Sequence, residues 1–155
     1  MVVPAFSVFE GMLRFAEAGE RDKINRSLEL LGPVLAEHDR VLGPGASAAL
    51  TAAFQSSDTG VLKRAVQALV ARDVAVLLRR LAGATRDRAR TWARTASLEW
   101  RLIEAAALAR DLRAAQSISG GLRDVGDAVD AGDRDEAGAL VPKAEKEILQ
   151  LFRPP

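Results

Sequence analysis

The sequence contains no cysteine and no tyrosine, a single histidine, and only 5% aromatic residues. Without cysteine the chain has no disulfide, no thiolate zinc or iron–sulfur site and no cysteine nucleophile. Because there is one histidine and no cysteine, the side chains that build most nucleophilic triads are also lacking. We therefore favour a non-catalytic protein, with an enzyme that uses only carboxylates as the open alternative, and we expect no metal and no cofactor.

Long uncharged hydrophobic runs are absent as well. No apolar window approaches the roughly 18 uncharged residues that a membrane-spanning helix needs. The first residues also lack the basic stretch followed by an apolar stretch that marks a secretion signal. These two features predict a soluble, cytoplasmic chain, with a processed exported form as the alternative.

Alanine and leucine dominate what is present, with 29 and 20 of the 155 residues. Both rank at the top of the helix-propensity scale, whereas the β-branched and aromatic residues that favour strands are sparse. We predict an all-α fold, a helical bundle of about four long helices with shorter helices at the N-terminus and in the connections. The long helices are expected near residues 21–42, 61–81, 86–117 and 134–152.

We expect one domain over residues 1–155, with an N-terminal helix in 1–20, a first half at 21–82 and a second half at 85–153. A weak match of Leu50, Asp58 and Gly60 to residues 72 positions later suggests that the two halves are pseudo-repeats.

Short polar and glycine-containing motifs predict where several helices begin and end. Ser7 with Glu10, and Asp133 with Glu136, have the spacing of capping boxes. Ser119-Gly120-Gly121 is expected to end the helix that begins near Arg86, because glycine is a poor helix former.

The predicted helix 61–81 has a carboxylate on its apolar face. At 100° per residue Asp73 lies in the middle of the face formed by Leu62, Val66, Leu69, Val76 and Leu77, and Arg80 follows it by one heptad. A buried carboxylate is costly unless it is paired or neutralised. One interpretation is a structural pair with an arginine of a neighbouring helix, and the other is a ligand contact in an interhelical pocket.

The predicted helix 86–117 is apolar on two sides. One seam carries Trp92, Ala96, Trp100 and Ile103, and the opposite face carries Leu98, Leu102, Ala105, Ala109 and Leu112. We therefore expect this helix to be central, with neighbours on both sides. The two tryptophans are predicted to be core residues, and the alternative is a stacking platform for a flat ligand.

Arginines follow the strip between those two faces. Arg90, Arg94 and Arg101 align, with Arg86 near the edge of the strip. Seven arginines lie between Arg79 and Arg101 against two acidic residues, whereas residues 123–136 hold six acidic residues against two arginines. Either these segments pair with each other, or the basic one binds an anion.

His38 lies between Glu37 and Asp39. These neighbours point in different directions on a helix, so the three cannot share a metal ion. We expect His38 to face solvent near a helix end.

Two functions follow from these patterns. The leading hypothesis is a non-catalytic helical bundle that acts through protein–protein interaction, including self-association, or binds a small ligand in an interhelical pocket with Asp73, Arg80, Trp92 and Trp100. The alternative is an anion-binding module, for nucleic acid or an anionic membrane surface, that uses Arg86, Arg90, Arg94 and Arg101.

Overall fold

Helices make up nearly all of the chain, which a computed structural model describes over residues 5–154. That range contains eight helices and no strand, so the predicted all-α helical bundle is confirmed. In chain order they are α1 (Ala5–Glu17), α2 (Arg21–Leu30), α3 (Gly32–Leu42), α4 (Ala46–Phe54), α5 (Thr59–Leu81), α6 (Arg86–Arg110), α7 (Leu112–Asp130) and α8 (Arg134–Leu151).

The helices group into two compact units that divide the chain within α5. The second unit is Ala71–Phe152, and the first takes the described residues before Ala71 together with the end of the chain. In the first unit α1 packs on α2, α3 packs on α4, and α2 contacts both α3 and α4. In the second unit α7 packs against α6 and α8. The single domain with halves at 21–82 and 85–153 stays a prediction.

Burial is most continuous along α5. Every side chain from Ala65 to Leu78 is buried except Arg72. The expectation that the helix beginning near Arg86 is buried on two sides is wrong. Its second apolar face is exposed at Leu98, Ala105 and Ala109, and the mixture of apolar residues with arginines there explains why no neighbour covers it.

The predicted long helix 86–117 ends earlier, at Arg110. Asp111 has an extended backbone, and its carboxylate accepts a hydrogen bond from the backbone N–H of Ala114 at 3.0 Å, which caps α7. The predicted break at Ser119-Gly120-Gly121 is wrong, since these residues lie inside α7. The two halves as pseudo-repeats stay a prediction.

Other helix ends agree with the local signals only in part. Asp133 caps α8 by accepting a hydrogen bond from the Glu136 N–H at 3.0 Å, as its capping box predicts. The box at Ser7 is wrong, because Ser7 lies within α1. The predicted run 21–42 is two helices that meet at Leu31, with proline in the first turn of the second, where its missing N–H costs nothing.

Candidate functional site

Asp73 and Arg80 lie on the contact between α5 and α6. These helices form an antiparallel hairpin. A residue seven positions later in α5 therefore contacts a residue seven positions earlier in α6. Asp73 interacts with Glu99, and the Arg80 guanidinium lies 5.9 Å from the centroid of the Trp92 ring. The structure thus brings three of the four predicted ligand residues onto one helix–helix contact.

Glu99 is the most unusual group on that contact. Its side chain is fully buried, and neither carboxylate oxygen has a hydrogen-bond donor among the residues that the structure describes. Burial disfavours the ionised form, and the negative charge of the Asp73 carboxylate disfavours it further. Together they raise the pKa of Glu99 from an ordinary value of 4.5 to about 11. Glu99 is therefore a neutral acid at pH 7 that can donate its proton to Asp73.

Sequence reasoning missed Glu99, although the signal was present. Glu99 follows Trp92 by one heptad and precedes Ile103 by four residues, so it belongs to the same buried seam. The apolar residues alone define the seam of Trp92, Trp100 and Ile103 in the sequence, and Glu99 enters only as one of the two acidic residues of the basic stretch. Because Glu99 is neutral, the net charge of the basic stretch from Arg79 to Arg101 is one unit more positive than a count with every carboxyl ionised gives.

Trp100 points away from that contact. Its ring is buried, its indole N–H donates to the Ser119 hydroxyl at 2.9 Å, and it meets the Phe152 ring edge-on with centroids 6.1 Å apart. Trp92 is only half-buried. The core prediction therefore describes Trp100 well and Trp92 in part, and the two tryptophans do not form one platform.

Three of the four predicted anion-binding arginines line one groove. Arg90, Arg94 and Arg101 on α6 face Gly126 and Asp130 on α7 across a groove of about 290 Å³. The remaining lining consists of the side chains of Ala93, Ser97 and Leu98. A Cβ at Gly126 would meet no atom within 4 Å, so this glycine leaves the wall of the groove open.

Arg86 does not line this groove. Its guanidinium donates to the backbone carbonyl of Asp130 at the end of α7. This contact places a cation at a helix C-terminus, where the helix dipole favours it. Arg86 therefore serves to hold α6 against α7.

The charges in the groove are only partly neutralised. Arg90 forms an ion pair with Asp130, with Nε to Oδ1 at 3.2 Å. Arg94 and Arg101 are exposed, and neither has a carboxylate partner within residues 5–154. Two guanidinium groups with all their donors available therefore lie on either side of Ser97.

A second groove of about 250 Å³ continues from the first along the α6–α7 contact. The two grooves share Ser97 and Arg101, and the second adds Arg123 from α7 and Glu104 from α6. The basic lining is therefore bounded by a carboxylate at each end, Asp130 on one side and Glu104 on the other.

Arg79, at the start of the predicted basic stretch, has a partner on another helix. Its guanidinium donates to the carboxylate of Glu145 on α8, which is buried. This hydrogen bond raises the pKa of Arg79 above its ordinary value. Arg79 is a structural cation and contributes nothing to the groove.

His38 is buried in α3, with 1% of its surface exposed, so the expectation that it faces solvent is wrong. Within the described part of the chain no group of three or more His, Cys, Asp or Glu side chains could hold a metal ion. None of the helices in residues 5–154 combines the length and hydropathy needed to cross a membrane.

Comparison with family models, curated proteins and solved structures finds no match to this chain.

Proposed function

We propose that the protein binds a small anionic ligand, one that carries a phosphate or a similar oxyanion, in the α6–α7 groove lined by Arg90, Arg94 and Arg101. The observation that carries the proposal is that these three arginines line one groove of about 290 Å³. Arginine presents a planar set of N–H donors that matches the oxygens of phosphate or carboxylate in pairs. The lining offers arginine donors, the Ser97 hydroxyl and one carboxylate, Asp130, which is paired with Arg90, and this set suits binding without chemical conversion.

The size and charge pattern favour a small ligand over a nucleic acid. A groove of about 290 Å³ is at the lower end of the range for small-molecule sites. A polymeric phosphate backbone needs a basic surface that continues beyond one site. Here Asp130 and Glu104 lie at the two ends of the basic lining, so a linear polyanion that runs along the grooves meets a carboxylate at each end, whereas a compact anion does not.

Titration with inorganic phosphate and pyrophosphate tests this proposal. We expect pyrophosphate to bind more tightly than phosphate, and the double variant Arg94→Gln/Arg101→Gln to weaken pyrophosphate binding by about tenfold or more, which corresponds to about 1.4 kcal/mol. Isothermal titration calorimetry at low and high salt measures both effects.

Two further variants make the test specific. Arg88→Gln removes the same charge from an exposed position of α6 that lines neither groove, and binding should be unchanged within about twofold. Gly126→Leu keeps all three arginines and fills the open wall, so it should also weaken binding. Equal losses for Arg88→Gln and the double variant would show nonspecific attraction to net charge, and would refute the groove.

A further inference from the structure

An apolar strip without a partner continues from the groove along the C-terminal half of α6. Four large hydrophobic residues are exposed in the described chain, and three of them lie here: Leu98 at 45%, Leu108 at 38% and Leu112 at 56%. Ala105 and Ala109 are exposed between them. Leu98, Ala105 and Ala109 share one side of α6 at helical spacing with Leu108 beside them, and Leu112 follows as the first residue of α7, after the helix break at Asp111. Together these exposed side chains form the strip.

The strip and the groove share Leu98, and their charges are arranged along the helix axis. Arg94 and Arg101 are exposed on the same side of α6 as Leu98, since Arg94 precedes Leu98 by four residues and Arg101 follows it by three. The N-terminal half of this face is therefore basic and the C-terminal half is mainly apolar, with the half-buried Glu104 beside Leu108 as its carboxylate. Asp130 lies beside Arg90, at the basic end and away from Leu108 and Leu112.

We infer that this face of α6 binds an anionic membrane surface, with phospholipid headgroups as the source of the anion. This inference rests on the proposed function, because it assigns the oxyanion in the groove to a lipid. A helix whose apolar side chains are flanked by arginines lies in the headgroup region, where its leucines enter the acyl boundary and its arginines reach the phosphates.

A second copy of the chain fits this face less well. Parallel pairing of two copies through the strip brings Arg94 and Arg101 of each copy close to the same residues of the other, and like charges at such a contact are unfavourable. Antiparallel pairing separates the arginines but places them against the apolar half of the other copy, where their charge is not compensated. An anionic bilayer neutralises both arginines and covers the leucines at the same time. Charge complementarity therefore selects the lipid surface.

Flotation of the full chain with vesicles tests the inference. Vesicles of phosphatidylglycerol mixed with phosphatidylcholine should carry the protein, and vesicles of phosphatidylcholine alone should not. The variant Leu108→Gln/Leu112→Gln lies outside the groove and should reduce the bound fraction roughly tenfold, while its affinity for soluble glycerol phosphate stays unchanged. The matched control is Leu30→Gln, because Leu30 is 62% exposed on α2 and should leave vesicle binding unaltered.

The outcomes separate this inference from the proposed function. Binding of soluble glycerol phosphate without retention on anionic vesicles refutes the membrane surface and leaves the groove intact, whereas absence of both refutes both. Retention that Arg94→Gln/Arg101→Gln abolishes but Leu108→Gln/Leu112→Gln leaves unchanged is electrostatic adsorption alone, and overturns the role of the strip. The role of the strip in membrane binding is also overturned if Leu108→Gln/Leu112→Gln converts a dimer to a monomer in sedimentation equilibrium while vesicle binding persists.

Discussion

Glu99 and Glu145 are both buried, and the groups opposite them differ. Glu145 receives the Arg79 guanidinium, so its negative charge is neutralised by a cation that remains partly in water. Glu99 faces the Asp73 carboxyl, and no donor reaches its oxygens within residues 5–154. Burial and the facing Asp73 carboxylate raise the pKa of Glu99, whereas Glu145 is held by a cation. The two residues therefore respond to substitution in opposite directions.

Replacement Glu99→Gln should stabilise the protein at neutral and alkaline pH. Glu99 is protonated in the folded chain up to its pKa of about 11 and ionises in the unfolded chain above 4.5. Its contribution to stability is therefore fully present below pH 4.5 and is lost as the pH rises toward 11. This group alone lowers the free energy of unfolding by about 1.4 kcal/mol per pH unit between those values. A glutamine keeps the donor to Asp73 and has no such slope.

The measurement is urea unfolding of both proteins between about pH 5 and pH 9. By that slope, we expect a gain for Glu99→Gln of up to about 5 kcal/mol near pH 8 that shrinks to less than about 1 kcal/mol near pH 5. In the matched variant Glu145→Gln the Arg79 pair is lost, and a loss of about 1 kcal/mol is expected instead. Parallel curves for wild type and Glu99→Gln across this range would contradict a protonated Glu99.

Single residues also mark the limit of the sequence interpretation. Asp73 was found because one carboxylate interrupted five apolar neighbours, and that inference needs only helical periodicity. Its counterpart Glu99 shares the seam with Trp92 and Ile103 but has arginines on either side in sequence, so it resembled a surface charge. That Asp73 and Glu99 face each other depends on the register of α5 against α6, which no local pattern specifies.

At the scale of helices, a side-chain cap decided where α6 ends, in spite of strong local propensity for one long helix. The segment from Arg86 to Ser117 has no glycine or proline, and that absence predicts continuity. Asp111 ends it by accepting the Ala114 N–H, while Gly120 and Gly121 remain helical inside α7. A Cβ at Gly121 would make an ordinary contact with the Ala144 Cβ at 3.6 Å, and one at Gly120 would meet no atom within 4 Å, so neither position requires glycine. The helix continues through both because its buried face packs against α6 and α8. Tertiary packing therefore outweighed the propensity of these two glycines.

Replacing Asp111 by alanine tests the cap. The variant loses the hydrogen bond to the Ala114 N–H and leaves that donor without a side-chain partner, so the free energy of unfolding should fall by about 1 kcal/mol. Asp124→Ala serves as the control, because Asp124 is exposed inside α7 and should change stability by less than about 0.5 kcal/mol. If both variants have the same midpoint in urea unfolding, Asp111 does not define the start of α7.

Across the whole chain, the net charge of +1 conceals an uneven distribution that the structure arranges in pairs. The basic stretch is held to the acidic one by three contacts: Arg86 with the Asp130 carbonyl, Arg90 with the Asp130 carboxylate, and Arg134 with the Ala84 carbonyl. The sequence indicated both stretches and the possibility that they pair. It could not indicate which arginines would be left over, because this depends on the contact between α6 and α7.

The partial neutralisation of the groove gives a last prediction, for Asp130→Asn. Asp130 holds Arg90 at 3.2 Å and competes with any anion for that guanidinium. Removing its charge should therefore strengthen pyrophosphate binding by about two- to fivefold, and the increase should diminish at high salt. Stability should change by less than about 1 kcal/mol, because both partners of this pair are largely exposed.

Asp127→Asn, an exposed α7 position that does not line the groove, is the control and should have a smaller effect. Weaker binding in Asp130→Asn would mean that Asp130 positions Arg90 for the ligand, and that the carboxylate belongs to the site as an organiser of its donors.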